Sequence, residues 1–177
     1  PKFIQELETK ENNYRGERDL ANLKLRKIRQ SIAQKLENKL LEYLRPLGLL
    51  NVSFKVQFMD SPPSANGADL VQFLFSANPG QPMAPLAEVA SGGEMSRFLL
   101  ALKTVMSEVE GSGTLVFDEI DTGVSGRISS AIGQVLKDLA SKRQVFCVTH
   151  QPLIAAVAHH HFRVVKFVEN GITQSHV

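Results

Sequence analysis

Cys147 is the only cysteine among 177 residues, so no internal disulfide can form and a reducing cytoplasm is the expected setting. Its neighbours Val145, Phe146 and Val148 mark it as a buried strand thiol rather than a nucleophile. No stretch approaches the ~18 apolar residues of a membrane span, and no signal-peptide pattern opens the chain. No Gly-Lys pair occurs anywhere, which rules out a P-loop within these residues. The first residue is Pro1 rather than Met, as expected of a piece of something longer. Hydrophobic residues at 43% and charged residues at 21% give the balance of a soluble globular domain with an appendage.

Proline is absent from residues 3–44, which hold a single glycine, Gly16. This segment reads as one long helix. Ala21, Leu25, Ile28 and Ile32 follow the four-three-four spacing of a coiled-coil seam. Leu36, Leu40 and Leu44 continue the stripe, with added apolar weight at Leu41 and Tyr43, as for a helix leaving a coil to dock on a globular core. Arg45-Pro46 ends it, because proline disfavours the helical conformation of the preceding residue. Acidic residues are missing between Ala21 and Leu36, where Lys24, Arg26, Lys27, Arg29 and Lys35 stand. Such a stretch either contacts phosphate backbones or forms the solvated face of a helix.

The period then changes to two. Val52, Phe54, Val56 and Phe58 alternate with polar residues, and so do Val71, Phe73 and Phe75, predicting an antiparallel pair joined by a long loop at Ser61–Gly67. A second loop covers Asn78–Pro85. From Ser91 onward helix and strand take turns. Met95, Phe98, Leu99, Leu102, Met106 and Val109 mark one helical face, and Ile128, Ile132, Val135, Leu136 and Leu139 another. Thr114–Phe117 and Val145–Val148 are wholly apolar, as in a parallel sheet covered on both faces. Phe162–Val168, the Asn170-Gly171 turn and a short return read as a closing hairpin.

Chemistry gathers at the ends of the apolar strands. Asp118 and Glu119 follow Phe117 at the carboxyl edge, where open α/β sheets place ligands. In a nucleotide hydrolase the first carboxylate holds Mg²⁺ and the second polarises the attacking water. The alternative is a strand ending in two solvated acids. Ser91-Gly92-Gly93-Glu94 precedes a helix, where glycines and unpaired N–H groups form a phosphate site, or only a capped turn. Val148-Thr149-His150 sets a histidine where it can donate to a γ-phosphate. Asp121-Thr122-Gly123 is a subunit-interface segment or a turn.

Order and spacing unite these signals. SGGE before a helix, apolar-Asp-Glu, an Asp-containing turn, a helix, then apolar-Thr-His resembles the C-terminal motif set of ABC-type ATPases from Pro85 onward. Asn78-Pro79-Gly80, Val89–Arg97, Phe117–Gly126 and Cys147–Pro152 extend the resemblance to the bacterial SMC-like DNA-repair ATPases, in which a coiled coil separates the two halves of the head. A leucine often follows the histidine in that family; here it is Gln151. The resemblance implies an α/β C-terminal lobe of an ABC/SMC-type head, largely parallel sheet with flanking helices, at residues 47–177. A coiled-coil arm and docking helix occupy 1–46. It implies ATP and Mg²⁺ as ligands, with Glu119 and His150 catalytic and Asp118 on the metal. Ser91, Gly92, Gly93 and Glu94 would act in trans on a partner's ATP, and Asp121 would lie in the interface loop. The implied partners are an N-terminal lobe carrying the P-loop, a second head and DNA, in the cytoplasm and at the nucleoid, with no membrane.

Two other readings compete. An ABC transporter domain usually has Leu before and Gln after the Ser-Gly-Gly, where this chain has Ala90 and Glu94. A coiled-coil DNA-binding scaffold without activity would not need Asp118, Glu119 and His150 together. His159-His160-His161 alternate between faces if they lie on a strand, which is poor geometry for one metal.

Overall fold

In the computed structural model the chain forms two compact units, Pro1–Ser91 and Gly92–Val177. The structure describes residues 2–78, 80–89, 91–107, 109, 113–169 and 172–176.

In the first unit, helix α1 runs from Lys2 to Leu44, followed by strands β1 (Ser53–Ser64), β2 (Gly67–Ser76) and β3 (Ala84–Pro85) and the short helix α2 (Leu86–Val89). The antiparallel sheet has the order β1-β2-β3. Phe54 pairs with Phe75, Val56 with Phe73 and Phe58 with Val71, and the rings of Phe54 and Phe73 meet edge-on at 5.4 Å. The alternation in β1 is real: Phe54 and Val56 are buried while Ser53, Lys55 and Gln57 are exposed.

The hairpin is longer than its sequence implies. Strand β1 continues through Pro62 and Pro63 to Ser64, which pairs with Gly67, so the connection is the tight turn at Ala65 and Asn66. The two prolines fall where the register shifts between Asp60 and Ser64. A residue with no N–H fits there because the ladder is already interrupted. Likewise Ala84 and Pro85, expected in a loop, pair with Phe75 and Leu74. Pro79 and Ala90 of the motif string lie outside the described residues.

Helix α1 docks on this hairpin along one stripe. Ala33, Leu40 and Leu44 are buried, and the Glu37 carboxylate accepts the Val56 N–H at 2.8 Å. Nearer the hairpin tip, Arg26 bonds to Asp60 and Asp69, while Arg29 reaches Asp69 at 3.1 Å and the Asn66 carbonyl at 2.7 Å. Gly67, at φ +101°, leaves room for Leu25 and Arg29, whose atoms lie 2.9 and 3.0 Å from where a Cβ would stand. Two of the five candidate DNA-contact residues are therefore engaged inside the chain. Arg26 and Arg29 clamp the hairpin because the buried Asp69 carboxylate takes both guanidinium groups as partners, with Asp60 adding a contact at the surface. Lys24, Lys27 and Lys35 remain exposed. Of the expected seam, Leu25 is half-buried, whereas Ile28 and Ile32 are each 58% exposed. The same three-four spacing runs back through exposed Tyr14, Leu7 and Ile4.

The second unit contains α3 (Gly92–Met106), β4 (Leu115–Phe117), α4 (Arg127–Ala140), β5 (Val145–Cys147), α5 (Pro152–Ala155), β6 (Val165–Glu169) and β7 (Ile172–His176). Strands β4 and β5 are parallel, Leu115 beside Val145 and Phe117 beside Cys147. Strands β6 and β7 form the closing hairpin, in which Phe167 stacks on His176; its Asn170-Gly171 turn lies outside the described residues. His159, His160 and His161 sit in exposed irregular chain before β6.

Helix α4 buries Ile132, Leu136 and Leu139 as its periodicity requires. Helix α3 does not: Leu99 is exposed, and the buried face carries Gly93, Arg97, Phe98, Leu100 and Ala101. The sheet is also covered less than its composition implies. Val116 is 69% and Phe146 45% exposed, and the two pair across β4 and β5. One apolar face of the parallel pair thus stands open.

At Gly133, α4 packs against α5 and the chain just beyond it. A Cβ there would lie 3.1 Å from Val157 Cγ2 and 3.3 Å from the Leu153 carbonyl oxygen. Gly133→Leu should cost about 2 kcal/mol through overpacking and lower Tm by roughly 5 °C. An unchanged melting curve by circular dichroism would show that the two helices do not meet this tightly.

Candidate functional site

The ends of β4 and β5 bring the chemistry together. Beyond β4, the exposed Asp118 folds back so that its Oδ1 accepts the Glu119 N–H at 2.9 Å. Glu119 has φ +57°, and no other described residue except glycine has a positive φ. A non-glycine side chain in that region carries strain of about 1–3 kcal/mol, and here the turn exposes the Glu119 carboxylate while Ile120 and Asp121 turn inward. Ile120 is fully buried and Asp121 only 2% exposed.

Helix α3 is tied to this turn at three points. The Glu119 Oε2 lies 3.2 Å from where a Cβ on Gly92 would be. Ser96 Oγ donates to the Asp118 carbonyl at 3.1 Å, and Arg97 Nη1 donates to the Thr122 carbonyl at 3.2 Å. A Cβ on Gly93 would stand 3.1 Å from that same carbonyl oxygen. The two glycines, singled out because they let an anion approach, also let the helix start sit against the strand-end turn. Burial pushes the Arg97 guanidinium pKa down, with Glu94 working against the shift. Sequence reasoning missed Arg97, and its one signal was a charged residue at the i+4 position from Gly93.

At the neighbouring strand end, Thr149 Oγ1 donates to Asp121 Oδ2, the His150 N–H donates to the same oxygen at 3.1 Å, and His150 Nδ1 lies 3.3 Å from it. Burial acts to raise the Asp121 carboxyl, but hydrogen bonds from Thr149 and the His150 backbone outweigh it and hold the group below its ordinary value. Gln151 Nε2 donates to the Val124 carbonyl at 3.1 Å and lies 3.2 Å from His150 Nε2. The Asp121 side chain, expected along a subunit interface or in a turn, is thus turned into its own unit, where the Thr149 hydroxyl and the His150 N–H donate to it. Thr122 and Gly123 beside it are exposed.

Cys147 is half-buried, and burial together with Asp121 and Asp118 pushes its thiol up to about 11, so it is an inert strand residue at neutral pH. Ser91 is exposed immediately before Gly92, and Glu94 is half-buried in the first turn of α3. Among the described residues no three His, Cys, Asp or Glu converge as a ready-made metal cage. Among them, too, no helix is long and apolar enough to cross a membrane.

A parallel strand pair whose carboxyl ends carry an acid pair and a histidine, with a glycine-led helix start held against them, defines the fold class of this unit. The chain belongs to the family described as "AAA domain, putative AbiEii toxin, Type IV TA system", whose model matches residues 2–156. Within that class it is similar to the DNA repair protein RecN of Synechocystis sp., with 54% identity over 144 residues, 81% of this chain and 25% of that protein. It is 41% identical to RecN of Halalkalibacterium halodurans over 168 residues, 92% of this chain and 30% of that protein. The chain therefore spans about a quarter to a third of the length of these relatives. Its fold matches the Smc head domain with an extended coiled coil from Pyrococcus furiosus, with a TM-score of 0.57 at 17% identity, covering 84% of this chain and 35% of that one. The relatives named are RecN proteins and the fold matches that of an SMC head, in agreement with the RecN-like reading of the sequence rather than with a transporter domain.

Proposed function

We propose that this chain is the C-terminal half of the ATP-hydrolysing head of a RecN-like protein acting in DNA double-strand-break repair and recombination, in the cytoplasm and at the nucleoid. The observation that carries the proposal is the junction of Glu119, His150 and the start of α3 around one strand-end turn. Glu119 accepts the proton of the attacking water, and His150 contacts a γ-phosphate oxygen. Asp118 suits Mg²⁺ as an exposed hard-oxygen donor, with phosphate and water supplying the remaining ligands. Bound there, the metal would neutralise charge on the transferring phosphoryl group.

Ser91, Gly92, Gly93 and Glu94 present backbone N–H groups at the positive end of α3 to an ATP held by a second head. ATP then joins the two heads and hydrolysis releases them. The partner that supplies the P-loop is an N-terminal lobe, and the open Val116–Phe146 face offers it an apolar surface to cover. The turn Asp121–Gly123 meets the second head through exposed Thr122 and Gly123. Lys24, Lys27 and Lys35 are the remaining candidates for DNA contact.

Alone, the 177-residue chain should hydrolyse ATP at no more than the buffer rate, because half of each composite site is missing. Adding the N-terminal half should restore a DNA-stimulated rate measured as phosphate release. Clear turnover by the highly purified chain would sink the split-head reading.

A further inference from the structure

Asp121 holds a position that the ATPase reading leaves without a chemical task. Its carboxylate is buried, yet it is neither an ion-pair partner of a Lys or Arg among the described residues nor exposed to solvent. Instead its Oδ2 gathers three groups from the end of β5: the Thr149 hydroxyl, the His150 N–H and His150 Nδ1. Two of those three fix the backbone. The third reaches the imidazole.

The far side of the ring tells which proton it carries. The Gln151 amide nitrogen donates to the Val124 carbonyl, which settles the orientation of that amide. Its second N–H is then available to His150 Nε2 at 3.2 Å. An Nε2 that accepts leaves Nδ1 as the ring donor, and Nδ1 lies 3.3 Å from the Asp121 carboxylate. Both contacts select the same tautomer. A buried carboxylate behind an imidazole whose other nitrogen faces the reacting group also orients the base in nucleophile–base–acid arrangements.

We infer that Asp121 is a positioning residue for His150: it holds Nδ1–H against its own carboxylate and so turns Nε2 outward toward the γ-phosphate position, with Gln151 covering Nε2 when no nucleotide is there. This rests on the reading of His150 as the phosphate-facing residue and deepens it. When phosphate arrives, Gln151 must yield Nε2, which takes up a proton from solvent water and donates it to the phosphate oxygen in a hydrogen bond, while the Asp121 carboxylate faces the Nδ1–H of the resulting imidazolium. Because Glu119 lies two residues before Asp121, the acid that activates water and the acid that aims the histidine belong to one turn.

The test uses the complete protein, labelled with ¹⁵N only in histidine rings, with the His150 signal identified by its loss in His150→Ala. In mildly alkaline buffer the wild type should show His150 mainly as the Nδ1–H tautomer. In Asp121→Asn it should shift mainly to Nε2–H, the form a free side chain favours in water. The same variant should lose roughly 10- to 100-fold in kcat with KM for ATP within about threefold. Thr149→Val removes a hydroxyl from the same carboxylate without touching the ring, and should leave the tautomer as in wild type. If Asp121→Asn keeps the wild-type tautomer, or if Thr149→Val shifts it equally, Asp121 is only a structural anchor and the inference is overturned. The two readings fail differently. An active His150→Ala would remove the phosphate-facing role itself, whereas an inactive His150→Ala beside a fully active Asp121→Asn would overturn the positioning role alone.

Discussion

In the complete protein, Glu119→Gln should retain ATP binding and lose hydrolysis by roughly 10²- to 10⁴-fold, the range for removing a positioned general base. The amide keeps the length and shape of the side chain but cannot take a proton from water. The backbone at Glu119 already stands at φ +57°, and glutamine meets the same strain, so the fold should be unaffected. Binding persists because the P-loop of the same head and the N–H groups at the start of α3 in the second head are untouched. ATP that is bound but not cleaved keeps the heads joined, so light scattering should detect a long-lived dimer with ATP. Asp118→Asn should behave differently, weakening Mg²⁺-dependent binding rather than arresting a bound state. Both variants hydrolysing at the wild-type rate would show that the carboxylate roles are misassigned.

The second large effect belongs to the signature. Ser91→Arg sets a bulky cation immediately before Gly92, at the helix start proposed to meet phosphate. If that helix start serves the ATP of a second head, the variant should still bind nucleotide through its own P-loop. It should fail to dimerise on ATP, and its hydrolysis should fall on the order of 100-fold or more, as when one transition-state donor is lost. Mixing it with a variant lacking the P-loop lysine sharpens the test. In the mixed dimer one composite site is broken on both sides, while the other joins an intact P-loop to an intact signature. Activity should therefore return in part. Loss of ATP binding by Ser91→Arg alone, with its melting temperature unchanged, would indicate a contact within one head and contradict the trans arrangement.

These expectations rest on elements of unequal legibility. The long helix, the two apolar strands and the buried face of α4 were readable because each is governed by local period and composition, and the structure places them at Lys2–Leu44, Leu115–Phe117, Val145–Cys147 and Arg127–Ala140. The buried face of α3 was not, because Arg97 occupies a position that hydropathy assigns to solvent, and only the Thr122 carbonyl explains it. Prolines at 62 and 63 masked the reach of β1, since their effect depends on a register shift that no local pattern shows. The open side of β4 and β5 was hidden for a related reason: strands built to be covered look the same whether or not the cover belongs to the same chain. Asp118, Glu119 and His150 stood out by their places after apolar strands, and the structure sets them at the ends of β4 and β5. The inward turn of Asp121 depended on where two strand ends, 28 residues apart, come to lie.

The clamp of Arg26 and Arg29 on the hairpin also has a mechanical meaning. Residues 2–21 of α1 are all exposed, so from Leu25 back to Lys2 the helix projects for about 35 Å, at 1.5 Å per residue. The fulcrum is the pair of arginines with Asp60 and Asp69. A tilt of about 10° there would carry the far end through about 6 Å of arc on that length, while β1 and β2, bonded to the same guanidinium groups, would turn through the full angle with almost no displacement. Torque and translation are thus traded along one helix, and a pull on its distal end would reach the hairpin as rotation.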